Sequence, residues 1–308
     1  MINCDALVLS GEQTNRFEED GFLVVENVLD RAGLDALRAS FPRIFAGDFD
    51  TGVYPDEWHW REGMSLPDAT RHMGNAWKSD LTIAGLVLSA EIAGAAAKLI
   101  GWPDIRLGQD TIWWKPPQTK PIKLHQDTSF LDYLDPPKTV TCWLTLDDTH
   151  RDAGTIEYVP GSHHWPVAPL PRDFHIAEDY RAAMLLAAES AGVSSPETVK
   201  VEVPAGSAVF HVGEIWHGSG PNLTDDRMRR SIGIHMLRGD VRFSDRPGGY
   251  IYRRYQINGD PDLNESFFPI LWSENGYRTP WIEEYCRSGY HTRDGNPESR
   301  PRSAGQAA

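Results

Sequence analysis

The spacing of apolar positions changes along this chain. Up to about residue 100 they recur mainly at helical intervals, and beyond Gly101 they fall into short strand-like runs. From Ser10, the stretch SGEQTNRFEEDGFLVVENVLD predicts a short polar helix, a turn at Gly21 and an apolar strand from Phe22 to Val25. Asp30 is placed to cap a helix through RAGLDALRASF, where Leu34, Leu37 and Phe41 share a face. Residues 40 to 75, rich in Asp, Trp, Pro and Gly, predict long loops over one end of the fold. Helical spacing returns from Ser79 to Ile100 with a break near Ser89, and Asp80 and Ser89 are the candidate caps.

Past Gly101 the strand-like segments are DTIWWK, TVTCWLTL, GTIEYVPG, VKVEVPAGSAVFHV and RRSIGIHMLR, separated by Pro and Gly at all-β intervals. One helix, AEDYRAAMLLAAESA at 177–191, interrupts them. From Val241 the chain is rich in Arg, Tyr, Gly and Pro, and its last dozen residues read as disordered. The pattern predicts one mainly β domain over residues 1–308 with flanking helices. A helical layer covers about 10–100, a barrel or sandwich core about 101–240, and a C-terminal extension 241–308. A domain boundary at Gly101 is the weaker reading, because an N-terminal helical layer usually covers a sheet face.

Composition, 40% hydrophobic and 24% charged, is that of an ordinary globular chain. A formal charge of −14 argues against a nucleic-acid partner and suits a polar, cationic small substrate. Three cysteines, Cys4, Cys142 and Cys286, make no metal cluster and no disulfide framework, which fits a cytoplasmic setting. The opening MINCDALVLSGEQ has no basic-then-apolar signal, and LTIAGLVLSAEIAGAAAKLIG carries Glu91 and Lys98. That run therefore reads as a helix of a soluble fold, with no membrane partner expected. Oligomeric state is not encoded in any of these features.

Chemistry enters at KLHQDTSFLDY. If Leu124 to Thr128 is a strand, His125 and Asp127 point to one face, and an imidazole and a carboxylate converge. A third donor is offered by His217 in GEIWHGSGPN. Two histidines and one carboxylate cap one face of an octahedral metal and leave three positions open, as in non-haem Fe(II) oxygenases. A His-x-Asp pair alone is weak, since isolated examples are more often a core histidine beside a turn aspartate.

The surrounding segments sharpen the reading. EEDGFLVVENVLD, KPPQTKPIKLHQD, AGTIEYVPGSHHW and GSAVFHVGEIWHGSGPN together resemble the phytanoyl-CoA dioxygenase family of Fe(II)/2-oxoglutarate oxygenases, over roughly residues 15 to 240. The resemblance implies a double-stranded β-helix core, a cupin-like jelly roll. It implies His125, Asp127 and His217 as metal ligands, with Fe(II), 2-oxoglutarate and dioxygen as cofactor and cosubstrates. The family places an arginine about eleven residues past the distal histidine, and DDRMRRSIGIHM offers Arg227, Arg229 and Arg230. Matching the following strand puts Arg229 in that role, with one extra residue in the loop before it. A planar guanidinium suits a carboxylate. Ser219 could add a hydroxyl bond to the same carboxylate, and Trp143 falls where the family often has a tryptophan beside the cosubstrate. Halogenating relatives lack the carboxylate ligand, so Asp127 argues for oxygenation.

Substrate contacts are expected from Gln126, Asp132, Tyr133, Glu214 and Trp216, which frame the ligand segments. For each of them a solvated or structural role competes. His163 and His164 read as structural. His211 reads as a core or near-site histidine held by hydrogen bonds, and His235 lies in a strand-like apolar run. Of Trp113 and Trp114, adjacent in one strand, at most one faces the site. The expected reaction is hydroxylation of a small polar metabolite, in natural-product (antibiotic) biosynthesis. Oxidative cyclisation, epimerisation, ring expansion and desaturation share the same chemistry. A metal-dependent isomerase or hydrolase and a non-catalytic binding protein are the alternatives from other classes. The retained arginine argues against the first, and the full ligand set against the second.

Overall fold

A computed structural model describes residues 1–169, 179–246 and 251–288. Its N-terminal layer is set by cap chemistry. Helix α1 (Gly11–Asp20) starts at Ser10, whose hydroxyl accepts from the Gln13 amide while the Gln13 side chain accepts from the Ser10 amide. It ends at Gly21, where φ is 82° and an added side chain would come within 2.5 Å of the His163 ring. Glycine answers both constraints. Strand β1 (Phe22–Val25) and helix α2 (Arg31–Ala46), capped by Asp30, follow. One face of α2 buries Leu34, Leu37, Phe41, Ile44 and Phe45, a stabilisation of roughly 1.5–3 kcal/mol for each fully buried large side chain. Helices α3 (Leu81–Val87) and α4 (Ala90–Ile100) are capped by Asp80 and Ser89, so the predicted break is present. The stretch 81–100 is apolar enough to cross a membrane, but most of it is buried inside this fold.

The strands are β2 (Glu57–Trp58), β3 (Arg71–Gly74), β4 (Asp104–Lys115), β5 (Ile122–His125), β6 (Leu134–Asp135) and β7 (Thr139–Thr145). They continue as β8 (Ile156–Tyr158), β9 (Val199–Lys200), β10 (Ala208–Val212), β11 (His217–Ser219), β12 (Arg229–Arg238), β13 (Arg242–Phe243) and β14 (Ile270–Ser273). Helix α5 (Ala182–Ser190) precedes β9, and α6 (Ile282–Ser288) follows β14. All pairing is antiparallel. A large sheet runs β1-β10-β7-β12-β4-β3-β2 with β14 also on β4, a smaller one runs β5-β11-β8-β9, and β13 pairs with β6. The architecture is the mainly β jelly roll that the resemblance implies.

Alternation within the large sheet explains where the core and the site lie. In β7, Val140, Cys142 and Leu144 join the apolar core with the helices, while Thr139, Thr141 and Trp143 line a cavity on the other face. In β12, Ile232, Ile234 and Met236 are core, and Arg229, Gly233, His235 and Leu237 face the cavity. In β4, Trp113 faces the cavity while Trp114 meets Phe41 and Phe45 of α2, with ring centroids 6.4 and 6.0 Å away.

Three expectations need correction. The region 40–75 was predicted as loops, but β2 and β3 extend the large sheet from the edge of β4. RHMG has no apolar alternation to announce a strand; twelve-residue β4 supplies the partner edge. The strand expected through Thr128 stops at His125, and Asp127 begins a 3-10 turn, Asp127–Phe130. The helix expected at 177–191 occupies Ala182–Ser190, and its first two predicted positions lie outside the described residues, as does the predicted disordered tail.

Candidate active site

A cavity of about 370 Å³ lies between the inner faces of the two larger sheets. The smaller sheet contributes its polar centre. His217 of β11 is the direct cross-strand partner of His125 of β5, so both side chains project from the same face. Their ring centroids are 4.3 Å apart. Each ring is oriented by its own backbone: His125 Nδ1 lies 2.9 Å from the Lys123 carbonyl, and His217 Nδ1 lies 3.1 Å from the Ile215 carbonyl. A carbonyl can only accept, so each Nδ1 carries a proton, and each Nε2 is turned toward Asp127.

Asp127 reaches the same point through the tight turn after β5. Its Oδ1 is 3.5 Å from both His125 Nε2 and His217 Nε2, and the three donor atoms lie within 4.8 Å of one another. Its Oδ2 is turned away and held by three groups. Thr141 Oγ1 donates at 2.8 Å, while His211 Nε2 and His235 Nδ1 each lie at 3.3 Å. The other His211 nitrogen meets the Tyr158 hydroxyl at 2.9 Å. Burial alone would raise the Asp127 pKa, but His217, His235 and hydrogen bonds from His125 and His211 outweigh it and hold the carboxyl well below its ordinary value. Burial pushes His217 well below the ordinary histidine value, with His125 adding to the effect, and burial also lowers His211. The result is two imidazoles and one carboxylate around a single point, a donor set suited to a divalent metal with open positions.

Beside this centre is a buried cation with no counter-ion among the described residues. Arg229 is 3% exposed; its Nε donates to the Gly154 carbonyl at 3.2 Å and its Nη1 to Ser231 Oγ at 2.6 Å. Among the described residues it forms no ion pair, and burial pulls its pKa down to about 10. Lys115, its register partner in β4, is also buried and donates to the Gly220 carbonyl at 2.7 Å. Burial, then Arg229, pushes the Lys115 ammonium well below its ordinary value. Ser219 Oγ is buried on the cavity wall with no hydrogen-bond partner among the described residues. Trp143 completes this corner, with the Arg229 guanidinium 5.6 Å from its ring centroid. Excess positive charge and an orphaned hydroxyl fit a bound carboxylate. Arg230 faces the other way and forms a two-pronged pair with Asp147 at 3.0 and 2.7 Å.

The predicted substrate contacts divide. Tyr133 lines the cavity. Gln126, Asp132, Glu214 and Trp216 do not. Gln126 spans two backbone groups, donating to the Glu214 carbonyl at 2.6 Å and accepting from the Ala168 amide at 2.7 Å. Asp132 is exposed, and Glu214 pairs with Lys138 at 2.6 Å. Trp216 packs with Leu124, Val159 and Met184 behind the smaller sheet. Asp132 follows the turn at Asp127, which changes the face that the next residues present. His163 and His164 stand outside the cavity, His163 bonding the Glu18 carbonyl at 3.1 Å. Sequence reading missed Thr141 and the group Glu57, His59 and His72, which line the cavity from a region expected to be loop. The period-two spacing of Glu57 and His59 was the available signal.

Comparison with known proteins adds an independent line. The family model described as phytanoyl-CoA dioxygenase (PhyH) matches residues 17–231. Ectoine dioxygenase of Nocardia farcinica is 28% identical over 230 residues, covering 69% of this chain and 73% of that protein. Peroxisomal phytanoyl-CoA dioxygenase of Rattus norvegicus is 25% identical over 246 residues, covering 78% and 71%. Among solved structures, the non-haem α-ketoglutarate-dependent carbocyclase SnoK from nogalamycin biosynthesis aligns with a TM-score of 0.65 at 25% identity, over 86% of this chain and 97% of its own.

Proposed function

This chain belongs to the phytanoyl-CoA dioxygenase family and is a 2-oxoglutarate-dependent dioxygenase using Fe(II) and O₂, and from that premise we propose how its residues divide the work. His125, Asp127 and His217 hold the iron. Bound there, the metal supplies the oxidising chemistry that couples 2-oxoglutarate decarboxylation to attack on a substrate C–H bond. Arg229 takes the distal carboxylate of 2-oxoglutarate through its planar fork, Ser219 adds a hydroxyl bond, and Trp143 walls that corner. The observation that carries the assignment is the buried guanidinium of Arg229, with no ion pair among the described residues, sharing one cavity with the three converging donors. Thr141, His211 and His235 restrain Asp127 so that one oxygen faces the metal position.

The substrate is a compact small molecule of natural-product type, and hydroxylation is the leading outcome. Its polar groups would meet Gln109, Thr111 and His235, and its ring or chain surface Trp113, Tyr133 and Phe130. A cationic substrate is disfavoured on this geometry. Among the described residues the cavity carboxylates are Asp127, which serves the metal, and Glu57, which already bonds His59 and Tyr252. The likeness to a carbocyclase favours oxidative ring closure as the second outcome.

Anaerobic titration of Fe(II) and 2-oxoglutarate into metal-free protein tests the residue roles. A visible charge-transfer band should require both additions and disappear in Asp127→Ala. Its absence from folded, iron-loaded wild type would overturn the assignment. Product mass then separates outcomes: hydroxylation adds one oxygen, ring closure removes two hydrogens, and epimerisation leaves mass unchanged.

A further inference from the structure

A second donor set lines the same cavity, and strand geometry explains why it converges. In β2 and β3, Glu57 faces Gly74 and Trp58 faces Met73. The His59 amide then donates to the His72 carbonyl at 3.2 Å, which places His59 opposite His72. Directly opposed residues of an antiparallel pair point to one face, and residues two apart along a strand share it. Glu57, His59 and His72 therefore project together, and their donor atoms lie within 4.8 Å of one another. The two imidazole rings are nearly parallel, with centroids 5.4 Å apart, and Glu57 Oε2 lies 2.9 Å from His59 Nε2.

The surroundings support the carboxylate as a fixed donor. Tyr252, fully buried, donates its hydroxyl to Glu57 Oε1 at 3.0 Å, leaving Oε2 toward the histidines. A side chain at Gly74 would sit 3.1 Å from Glu57 Oε1 and from the Tyr252 hydroxyl, so glycine keeps that seat open. His72 packs at 4.1 Å on Trp113, its neighbour in β4. His59 is 58% exposed on its side chain, so an ion has a path in.

We propose that Glu57, His59 and His72 form a second divalent-metal site of the zinc type, separate from His125, Asp127 and His217 and opening onto the same cavity. Two imidazoles and a carboxylate leave at least one position free. That position would take an oxygen of a small molecule bound in the cavity.

The test is calorimetric titration of Zn(II) into metal-free protein, with Co(II) absorption as a check on tetrahedral nitrogen and oxygen ligation. Wild type should bind two equivalents. His59→Ala, at an exposed position, and Glu57→Gln should each bind one. His125→Ala should also bind one, and the double variant His59→Ala with His125→Ala none. No binding in His125→Ala, or a stoichiometry that His59→Ala leaves at the wild-type value, would overturn the proposal. His125→Ala leaves only the outer site to report and His59→Ala only the inner one, so failure of either site is read without the other.

Discussion

Replacing Arg229 by methionine should separate cosubstrate binding from folding. The change removes a buried charge while keeping most of the side-chain length. Two hydrogen bonds are lost, to Gly154 and Ser231, at about 1 kcal/mol each. Removing an unpaired buried guanidinium offsets this, because its desolvation is not repaid by a counter-ion in the free protein. The metal-loaded protein without 2-oxoglutarate should therefore melt within about 2 °C of wild type, taking roughly 2.1 cal/mol/K per residue as the unfolding entropy. The ligand response should change far more. Hydrogen bonds to a charged group contribute about 1.5–3 kcal/mol, so losing this contact should weaken 2-oxoglutarate binding about 100-fold. At a concentration 100 times the wild-type Kd, the ligand stabilises wild type by about 2.7 kcal/mol and the variant by about 0.4 kcal/mol. For 308 residues these convert to shifts of about 4 °C and below 1 °C. The assay is a thermal melt with Mn(II), with and without 2-oxoglutarate. Arg230→Met, which breaks the pair with Asp147 and the bond to the Arg38 carbonyl, should lower the baseline melt and keep the full ligand shift. A full shift in Arg229→Met, or a lost shift in Arg230→Met, would refute the reasoning.

Thr141→Val keeps side-chain shape but removes the hydroxyl that donates to Asp127 Oδ2 at 2.8 Å. Metal affinity should fall about 10- to 100-fold, read by competition with a chromophoric chelator; unchanged affinity would remove Thr141 from the positioning shell. The metal-free protein should lose stability in mild acid. His211 and His217 have folded pKa values below the ordinary 6.5. The unfolded chain then binds protons that the folded state refuses, so their stabilisation is present above pH 6.5 and falls as pH drops below it. Two such groups give a slope of up to about 2.7 kcal/mol per pH unit. Urea melts at pH 7 and 5.5 measure it, and a flat profile would contradict buried neutral histidines.

Much of this protein can be read from its sequence because the signals are local. Cap residues at Ser10, Asp30, Asp80 and Ser89 mark the helices they begin. Strand alternation separates Trp113 from Trp114 and Arg229 from Arg230 before any fold is known. Residue chemistry, two histidines and a carboxylate beside a strand-borne arginine, narrows the function to a class. Periodicity assigns a face within an element, but it does not say which elements become neighbours. The large sheet brings Thr141, His211 and His235 from β7, β10 and β12 to one carboxylate oxygen, 14, 84 and 108 residues from Asp127 in sequence. The turn after β5, not a continued strand, delivers Asp127 and at the same time sends Asp132 outward. Glu57, His59 and His72 reach the cavity only because the long β4 offers an edge to a segment with little strand signal of its own. Non-local pairing made those choices, since each depends on closing chain segments that carry no local record of one another.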